Sequence, residues 1–319
     1  MTKIVITEFM TQSAVDDLTE EFDVVYERDL FERPDDLKKL VVDAEGLIVR
    51  NRTQVRADLL DAAPKLQVIG RLGVGLDNLD MEACASRKIP VFPATGANDA
   101  SVAEYVIGSA LHLVRRVFAA TESVLEGKWL RETYFGEEIA GRRLGLVGFG
   151  SIARTVAKKA GGLEIDVSAF DPFVDADDPA WTGVMRETEL SALLASADIV
   201  SLHVPFLPST ENLIDEAALK IMKPGAILIN AARGGIIDED ALATALKSGH
   251  LGGAALDVLA TEPPTMESVA KFKGVQNLIL TPHIAGPTVQ SDVRVSGVTA
   301  ANVRRVLNGN RAEERLGSQ

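Results

Sequence analysis

A single cysteine, Cys84, stands in a chain of 319 residues, so no disulfide can form within it. No cluster of cysteine and histidine has the spacing of a zinc site, and no metal is expected. Long apolar runs are also missing: nothing approaches the roughly 18 residues that a membrane span requires. The N-terminus offers Lys3 and then only Ile4, Val5 and Ile6 before Thr7 and Glu8. That is too short for a secretory signal and reads as a first strand. Basic charge is scarce, with 33 Lys and Arg against 46 Asp and Glu and a formal net charge of −13. A nucleic-acid binder shows the opposite footprint. These shortages point to a cytoplasmic protein without a nucleic-acid or membrane partner. They do not exclude a small anionic ligand, because a few arginines in one place set the local potential.

What is present is ordinary globular composition, 46% hydrophobic and 25% charged, in a chain long enough for two domains. Short β-branched runs alternate with helical patterns, the signature of βα units around a parallel sheet. Strands are expected at residues 4–6, 24–26, 47–49 and 68–70 and near Val91, with helices around 15–20, 37–42 and 81–86 between them. Residues 101–125 carry apolar positions at helical spacing without proline and predict one long helix. A second strand series follows at 144–147, 166–170, 199–202, 226–229, 253–257 and 278–280. The chain therefore reads as two α/β lobes, 1 to about 98 and about 99 to 286. A further helix near 291–307 fits either lobe on pattern alone.

The strand at 144–147 runs into Gly148-Phe149-Gly150-Ser151-Ile152-Ala153 and then a helical stretch. This is a dinucleotide-binding fingerprint in its required context, after a strand and opening a helix. Gly148 permits the tight turn, Gly150 lets backbone approach a pyrophosphate, and Ala153 allows close helix–strand packing. The helix N-terminus presents unsatisfied N–H groups to the phosphates. The next strand ends at Asp171, where a carboxylate accepts ribose hydroxyls and repels a 2′-phosphate. The cofactor expected is NAD.

Candidate chemistry collects at successive strand ends, where open α/β sheets place their ligands. Arg233 follows the strand ending at Asn230 and precedes Gly234 and Gly235, placed to grip a carboxylate in a bidentate way. Asp257 ends the next strand, and Glu262 follows before two prolines. His283, in Thr281-Pro282-His283, closes the series. Histidine exchanges its proton near neutrality, and a carboxylate bound to it favours the imidazolium that protonates a keto oxygen. His203 also ends a strand, and a role beside the cofactor stays open for it.

These residues resemble the D-isomer-specific 2-hydroxyacid dehydrogenases, and the likeness continues back through Arg71-Leu72-Gly73-Val74-Gly75 and Ser101-Val102-Ala103-Glu104. Within that family the first half is most similar to the phosphoglycerate-oxidising members. The resemblance implies two Rossmann-like doubly wound domains, an NAD-binding domain (99–286) inserted into a discontinuous substrate domain (1–98 plus 287–319). It implies a homodimer joined largely through the nucleotide domains. By motif, Arg233 binds substrate, His283 is the acid/base and Glu262 its partner. Asp257 sits near the nicotinamide carboxamide, with His203, Ala231 and Gly286 among the cofactor contacts. Gly73, Val74 and Gly75 offer N–H groups to the substrate carboxylate. Ser151 departs from the arginine that many members carry in the glycine loop, and serine feedback through C-terminal regulatory modules is not expected.

Arg50, Arg52 and Arg71 end strands of the first lobe. A simple 2-hydroxy acid needs only one arginine, so the surplus suggests a second anion at C3, a phosphate as in 3-phosphoglycerate or a sulfonate as in 3-sulfolactate. The alternative for Arg52 is a solvated surface charge that balances nearby acids. Reduction of glycerate-type hydroxypyruvate is a further alternative. A different class, an NAD-sensing corepressor-like binding protein on the same scaffold, is separated by steady NADH turnover.

Overall fold

A computed structural model describes residues 1–309, which divide into two compact units. Unit 1 comprises residues 1–98 and the chain from Pro287 onward, and unit 2 is the continuous stretch Asp99–Gly286. Each is built on its own parallel sheet.

Unit 1 holds β1 (Lys3–Ile6), β2 (Asp23–Tyr26), β3 (Gly46–Val49), β4 (Val68–Arg71) and β5 (Val91–Pro93) in the order β2-β1-β3-β4-β5. Alternate residues along each strand serve opposite faces. Ile4, Ile6 and Ile48 pack with the helices Gln12–Thr19 and Val289–Leu307, which contribute Val15, Leu18, Val295 and Val303. Val5, Leu47, Val49 and Ile69 face Leu37, Leu59, Leu60 and the buried Cys84. Burial on both faces explains why these strands read as continuous apolar runs. The helix that pattern alone assigned to neither lobe belongs here. A capping box between Thr288 and Ser291 starts it, and Arg294 Nε donates to the Ala97 carbonyl at 2.8 Å.

Unit 2 holds β6 (Arg143–Val147), β7 (Asp166–Phe170), β8 (Met185–Glu187), β9 (Ile199–Leu202), β10 (Ile227–Asn230), β11 (Gly253–Leu256) and β12 (Leu278–Leu280). All are parallel, in the order β12-β11-β10-β9-β6-β7-β8. The strand order reverses between β6 and β9, and in such sheets the carboxyl ends at that point receive the ligand. β8 escaped sequence reading because Met185-Arg186-Glu187 is a short, polar edge strand with no apolar signal.

The long helix expected over 101–125 is not continuous. It runs from Asp99 to Arg115 and stops where Arg116 takes a left-handed φ of 57°. A 3-10 turn (Val117–Ala120) and a short helix (Thr121–Leu125) follow. The apolar spacing persists past the break, but Phe118, Val124 and Leu125 stand exposed instead of joining the core. Among the described residues no helix is long and apolar enough to cross a membrane.

Candidate active site

The glycine loop sits at the reversal point between β6 and β9. Gly148 has φ +88°, and a Cβ there would lie 2.7 Å from the His203 carbonyl oxygen at the end of β9, so only glycine fits. Gly150 differs: a Cβ on it would meet nothing within 4 Å. Packing does not demand glycine there, and the open space suits a ligand atom brought close to the backbone. Gly150 is also the N-cap of the helix Ser151–Gly161, which has no side-chain cap and no acidic residue in its first turn. Eleven residues of aligned dipole and unclaimed N–H groups make a fitting cradle for a pyrophosphate. Phe149 turns its ring inward onto Trp181, with centroids 4.6 Å apart, so only its backbone borders the loop. Ile152 is partly buried against the same core.

Asp171, one residue past β7, is oriented by two backbone donors. Phe149 N–H donates to Oδ2 at 2.8 Å and Phe173 N–H to Oδ1 at 2.9 Å. Each carboxylate oxygen keeps a further lone pair for a ribose hydroxyl. At the end of β9 the His203 ring meets Ser201 Oγ at 3.0 Å, and burial pulls its pKa down to about 4. His203 is therefore uncharged at neutral pH.

The Arg233 turn is shaped by Asn230, a buried residue at the end of β10. Its Oδ1 accepts from Ala232 N–H at 3.0 Å and its Nδ2 donates to the Arg233 carbonyl at 2.8 Å, so the backbone on either side of Arg233 is fixed and Ala231 lies within the turn. Gly234 follows pressed against Leu259 and Ala260, leaving no room for a side chain. That contact sets Arg233 beside the loop that carries Glu262.

Glu262 Oε2 meets His283 Nδ1 at 2.8 Å, and its other oxygen accepts the Leu259 N–H at 3.0 Å. Burial works against the charged carboxylate, but the bonds from His283 and Leu259 and the nearby Arg233 charge outweigh it and hold Glu262 below the usual range. His283 itself has a left-handed φ of 55°. Asp257 holds that loop. Its carbonyl accepts His283 N–H at 2.8 Å, and its carboxylate accepts Ile284 N–H, Ala285 N–H and the Thr281 hydroxyl at 2.8, 2.8 and 2.6 Å. Three donors of its own loop thus fall on the Asp257 carboxylate, a bracing duty beside the nicotinamide contact expected of it, for which Oδ2 keeps a lone pair. Gly286 closes the loop and the unit.

In unit 1, Arg50 follows β3 and pairs with Asp292 at 2.9 Å, both side chains about three-quarters buried. Arg28 and Arg50 lie over Phe9, at 4.8 and 5.7 Å from its ring centre, and Arg52 lies 4.4 Å over Phe31. Arg71 ends β4 and donates to the Leu72 carbonyl at 2.9 Å, its guanidinium filling the space that a side chain on Gly73 would need. The Gly73 amide is committed to the Arg71 carbonyl at 2.8 Å, whereas the Val74 and Gly75 amides have no acceptor among the described residues. Of the three N–H groups expected to face a substrate, two are available.

Residues 107–285 match the family model described as D-isomer specific 2-hydroxyacid dehydrogenase, NAD binding domain. The chain belongs to this family. It is an NAD-dependent oxidoreductase acting on 2-hydroxy acids. The dehydrogenase is similar to the (S)-sulfolactate dehydrogenase of Chromohalobacter salexigens, 51% identical over 96% of this chain and 99% of that one. It is 40% identical to the D-3-phosphoglycerate dehydrogenase of Archaeoglobus fulgidus over 83% of this chain, but spans only 50% of that protein. Among solved structures it superposes on the D-lactate dehydrogenase of Aquifex aeolicus complexed with NAD and lactic acid, with a TM-score of 0.84, 28% identity and coverage of 96% of both chains.

Two positioning groups of the dehydrogenase escaped sequence reading. Glu8 is 3% exposed, and its carboxylate accepts the N–H groups of Arg50, Asn51, Arg52 and Thr53 at 2.8–3.2 Å, ordering the loop that carries two arginines. Asp292 anchors Arg50 from 242 residues away. An isolated glutamate after β1 and an aspartate in a helix's first turn carry no local signal for either duty. Arg28, placed over Phe9 beside Arg50, was not singled out either.

Proposed function

We propose that this dehydrogenase interconverts a 2-keto acid and a 2-hydroxy acid that carry a second anion at C3, with a sulfonate, as in 3-sulfopyruvate and 3-sulfolactate, the leading candidate. The phosphate analogue favoured by motif likeness comes second. The relative matched along 99% of its length is named for sulfolactate, and the phosphoglycerate relative is matched along only half of its own.

The observation that carries the chemical reading is the contrast between two histidines at strand ends. His203 is neutral and tied to Ser201, so it has no proton to give. His283 is bonded through Nδ1 to the Glu262 carboxylate, which fixes its ring and leaves Nε2 as the proton carrier for the C2 oxygen. Arg233 grips the C1 carboxylate, aided by the Val74 and Gly75 amides. NAD, when bound, exchanges a hydride with C2. The Gly148–Ile152 backbone would hold its pyrophosphate and Asp171 its ribose, with Ala231 and Gly286 among the other residues that would contact it. The residues from Asp99 to Gly286 serve as the cofactor domain and the remainder as the substrate domain.

Arg50 and Arg71 take the second anion. The Asp292 pair fixes Arg50 in place while using one of its five N–H donors. The same reading includes a homodimer, supported by Phe118, Leu125, Trp129 and Phe135, which are 63–83% exposed on one stretch of chain. Use of NAD as cosubstrate suits the cytoplasm.

The test is NADH oxidation with 3-sulfopyruvate, 3-phosphohydroxypyruvate, hydroxypyruvate and pyruvate, repeated with Arg50→Ala. The doubly charged substrates should lead, and the variant should cost them about 1.5–3 kcal/mol in kcat/KM, the worth of a charged hydrogen bond, with far less effect on pyruvate. Pyruvate as best substrate, with Arg50→Ala inert, refutes the second-anion site.

A further inference from the structure

The His283 loop adopts a conformation that a histidine does not choose unaided. A non-glycine residue in the left-handed region costs about 1–2 kcal/mol and persists only where its surroundings over-determine it. Here three consecutive amides, those of His283, Ile284 and Ala285, converge on one residue, Asp257. Asp257 is 2% exposed, so the aim of its carboxylate depends on the donors around it. The only donor of these that is free to rotate is the Thr281 hydroxyl, at 2.6 Å from Oδ1.

A hydroxyl has one proton, and Thr281 spends it on the carboxylate. The 2.8 Å contact between Thr281 Oγ1 and Tyr105 Oη can then have only one polarity, with the tyrosine donating. The chain of bonds runs one way, from Tyr105 through Thr281 to Asp257. Tyr105 lies on the helix Asp99–Arg115, whose Ala103, Val106 and Ala110 are buried, so its backbone is a fixed base for the phenol. Burial pushes the Tyr105 hydroxyl up, so it keeps its proton across the working pH range.

We propose that Tyr105 is a positioning residue of this dehydrogenase, whose hydroxyl orients Thr281 and, through it, the Asp257 carboxylate that holds the His283 loop. The proposal rests on His283 being the proton carrier. Without the phenolic donor, Thr281 can turn away from Asp257. The loop then loses its one adjustable anchor, and His283 samples other conformations while the cofactor loop at Gly148 is untouched.

The experiment compares Tyr105→Phe, Thr281→Val, Thr281→Ser and the double variant Tyr105→Phe/Thr281→Val. It reads kcat for keto-acid reduction, the NADH Kd by fluorescence, and amide exchange of the peptide covering residues 278–286. Tyr105→Phe should lose roughly tenfold in kcat and Thr281→Val up to about a hundredfold, the scale of a misplacement near 1 Å. Thr281→Ser, which keeps the hydroxyl, should restore most of the rate, and the double variant should be no worse than Thr281→Val. Exchange at 278–286 should rise in Tyr105→Phe with the NADH Kd and the Tm unchanged.

Wild-type kcat and exchange in Tyr105→Phe overturn the proposal, and so do losses that multiply in the double variant. A Thr281→Ser variant as slow as Thr281→Val shows that the methyl matters and not the hydroxyl, which also overturns it. If Thr281→Val does not fold, Tyr105→Phe with its exchange measurement decides alone. An active His283→Ala enzyme would remove the reading beneath the proposal, whereas an inert Tyr105→Phe beside a dead His283→Ala removes only the relay.

Discussion

Replacing Gly234 by alanine adds one methyl group and alters no titrating group, yet the structure expects a large catalytic cost. A Cβ at this position would overlap the Leu259 carbonyl and stand 2.8 Å from the Ala260 nitrogen. Both obstacles are backbone, so no side chain can swing aside to make room. Relief requires the Arg233 turn and the Leu259–Ala260 segment to part by about 1 Å, a displacement that costs on the order of 10²-fold where reacting groups are being aligned. The displaced segments matter on both sides. Leu259 N–H is one of the two donors that orient Glu262, and the turn positions Arg233. Gly234→Ala should therefore lower kcat/KM for keto-acid reduction by about a hundredfold. The NADH Kd should change far less than kcat/KM, because the Gly148 loop and Asp171 lie on other strands and only the Ala231 contact moves with the turn. Steady-state kinetics with NADH titration by fluorescence checks this, with a thermal melt to confirm folding. A folded variant with wild-type kcat/KM would show that the spacing of these two segments does not matter and would refute the geometry assigned to Arg233 and Glu262.

His283→Ala should reduce kcat by roughly 10²–10⁴ with NADH binding nearly intact, measured by single-turnover kinetics. Glu262→Gln should lower kcat for keto-acid reduction by loosening the hold on the His283 ring, and an unchanged kcat would remove Glu262 as partner. Because the Glu262 carboxyl is held below its ordinary value of 4.5, the pair stabilises the fold above that pH and loses this contribution as pH falls through the lowered value. The difference in Tm between wild type and Glu262→Gln should accordingly shrink as pH falls from about 5 into stronger acid. Asp171→Asn should narrow the preference for NAD over NADP, read as the ratio of kcat/KM values, and equal use of both cofactors by the wild type would contradict the ribose role.

Strands buried on both faces and the glycine loop were legible because their signals are local. Five residues suffice to write β6 and six to write the turn after it. Arg233, Glu262 and His283 were legible for a similar reason, each standing next to a strand end that the pattern located. The continuous helix over 101–125 failed because apolar spacing says which residues share a face and not what that face meets. After Arg116 it meets no core. Glu8, Tyr105 and Asp292 failed because their partners lie 42 or more, 176 and 242 residues away, distances over which a single sequence shows no coupling. Asp257 was placed at its strand end, but that its carboxylate also braces its own loop is a fact of orientation that no spacing conveys.

The interruption of unit 1 has a consequence for how the protein is made. Unit 2 is one uninterrupted stretch, Asp99–Gly286, and every strand of its sheet has been synthesised once Leu280 has been added. Unit 1 begins first and finishes last. Its β-strands are complete at Pro93, yet the face formed by Ile4, Ile6 and Ile48 lacks Val295, Val303 and Val306 until the helix Val289–Leu307 is synthesised. For the time taken to translate some two hundred residues, about 10–40 s at roughly 5–20 residues per second, that apolar face is covered only in part, by the helix Gln12–Thr19. The segment translated first is thus completed last, and the nascent chain spends that interval with one face of unit 1 only partly covered.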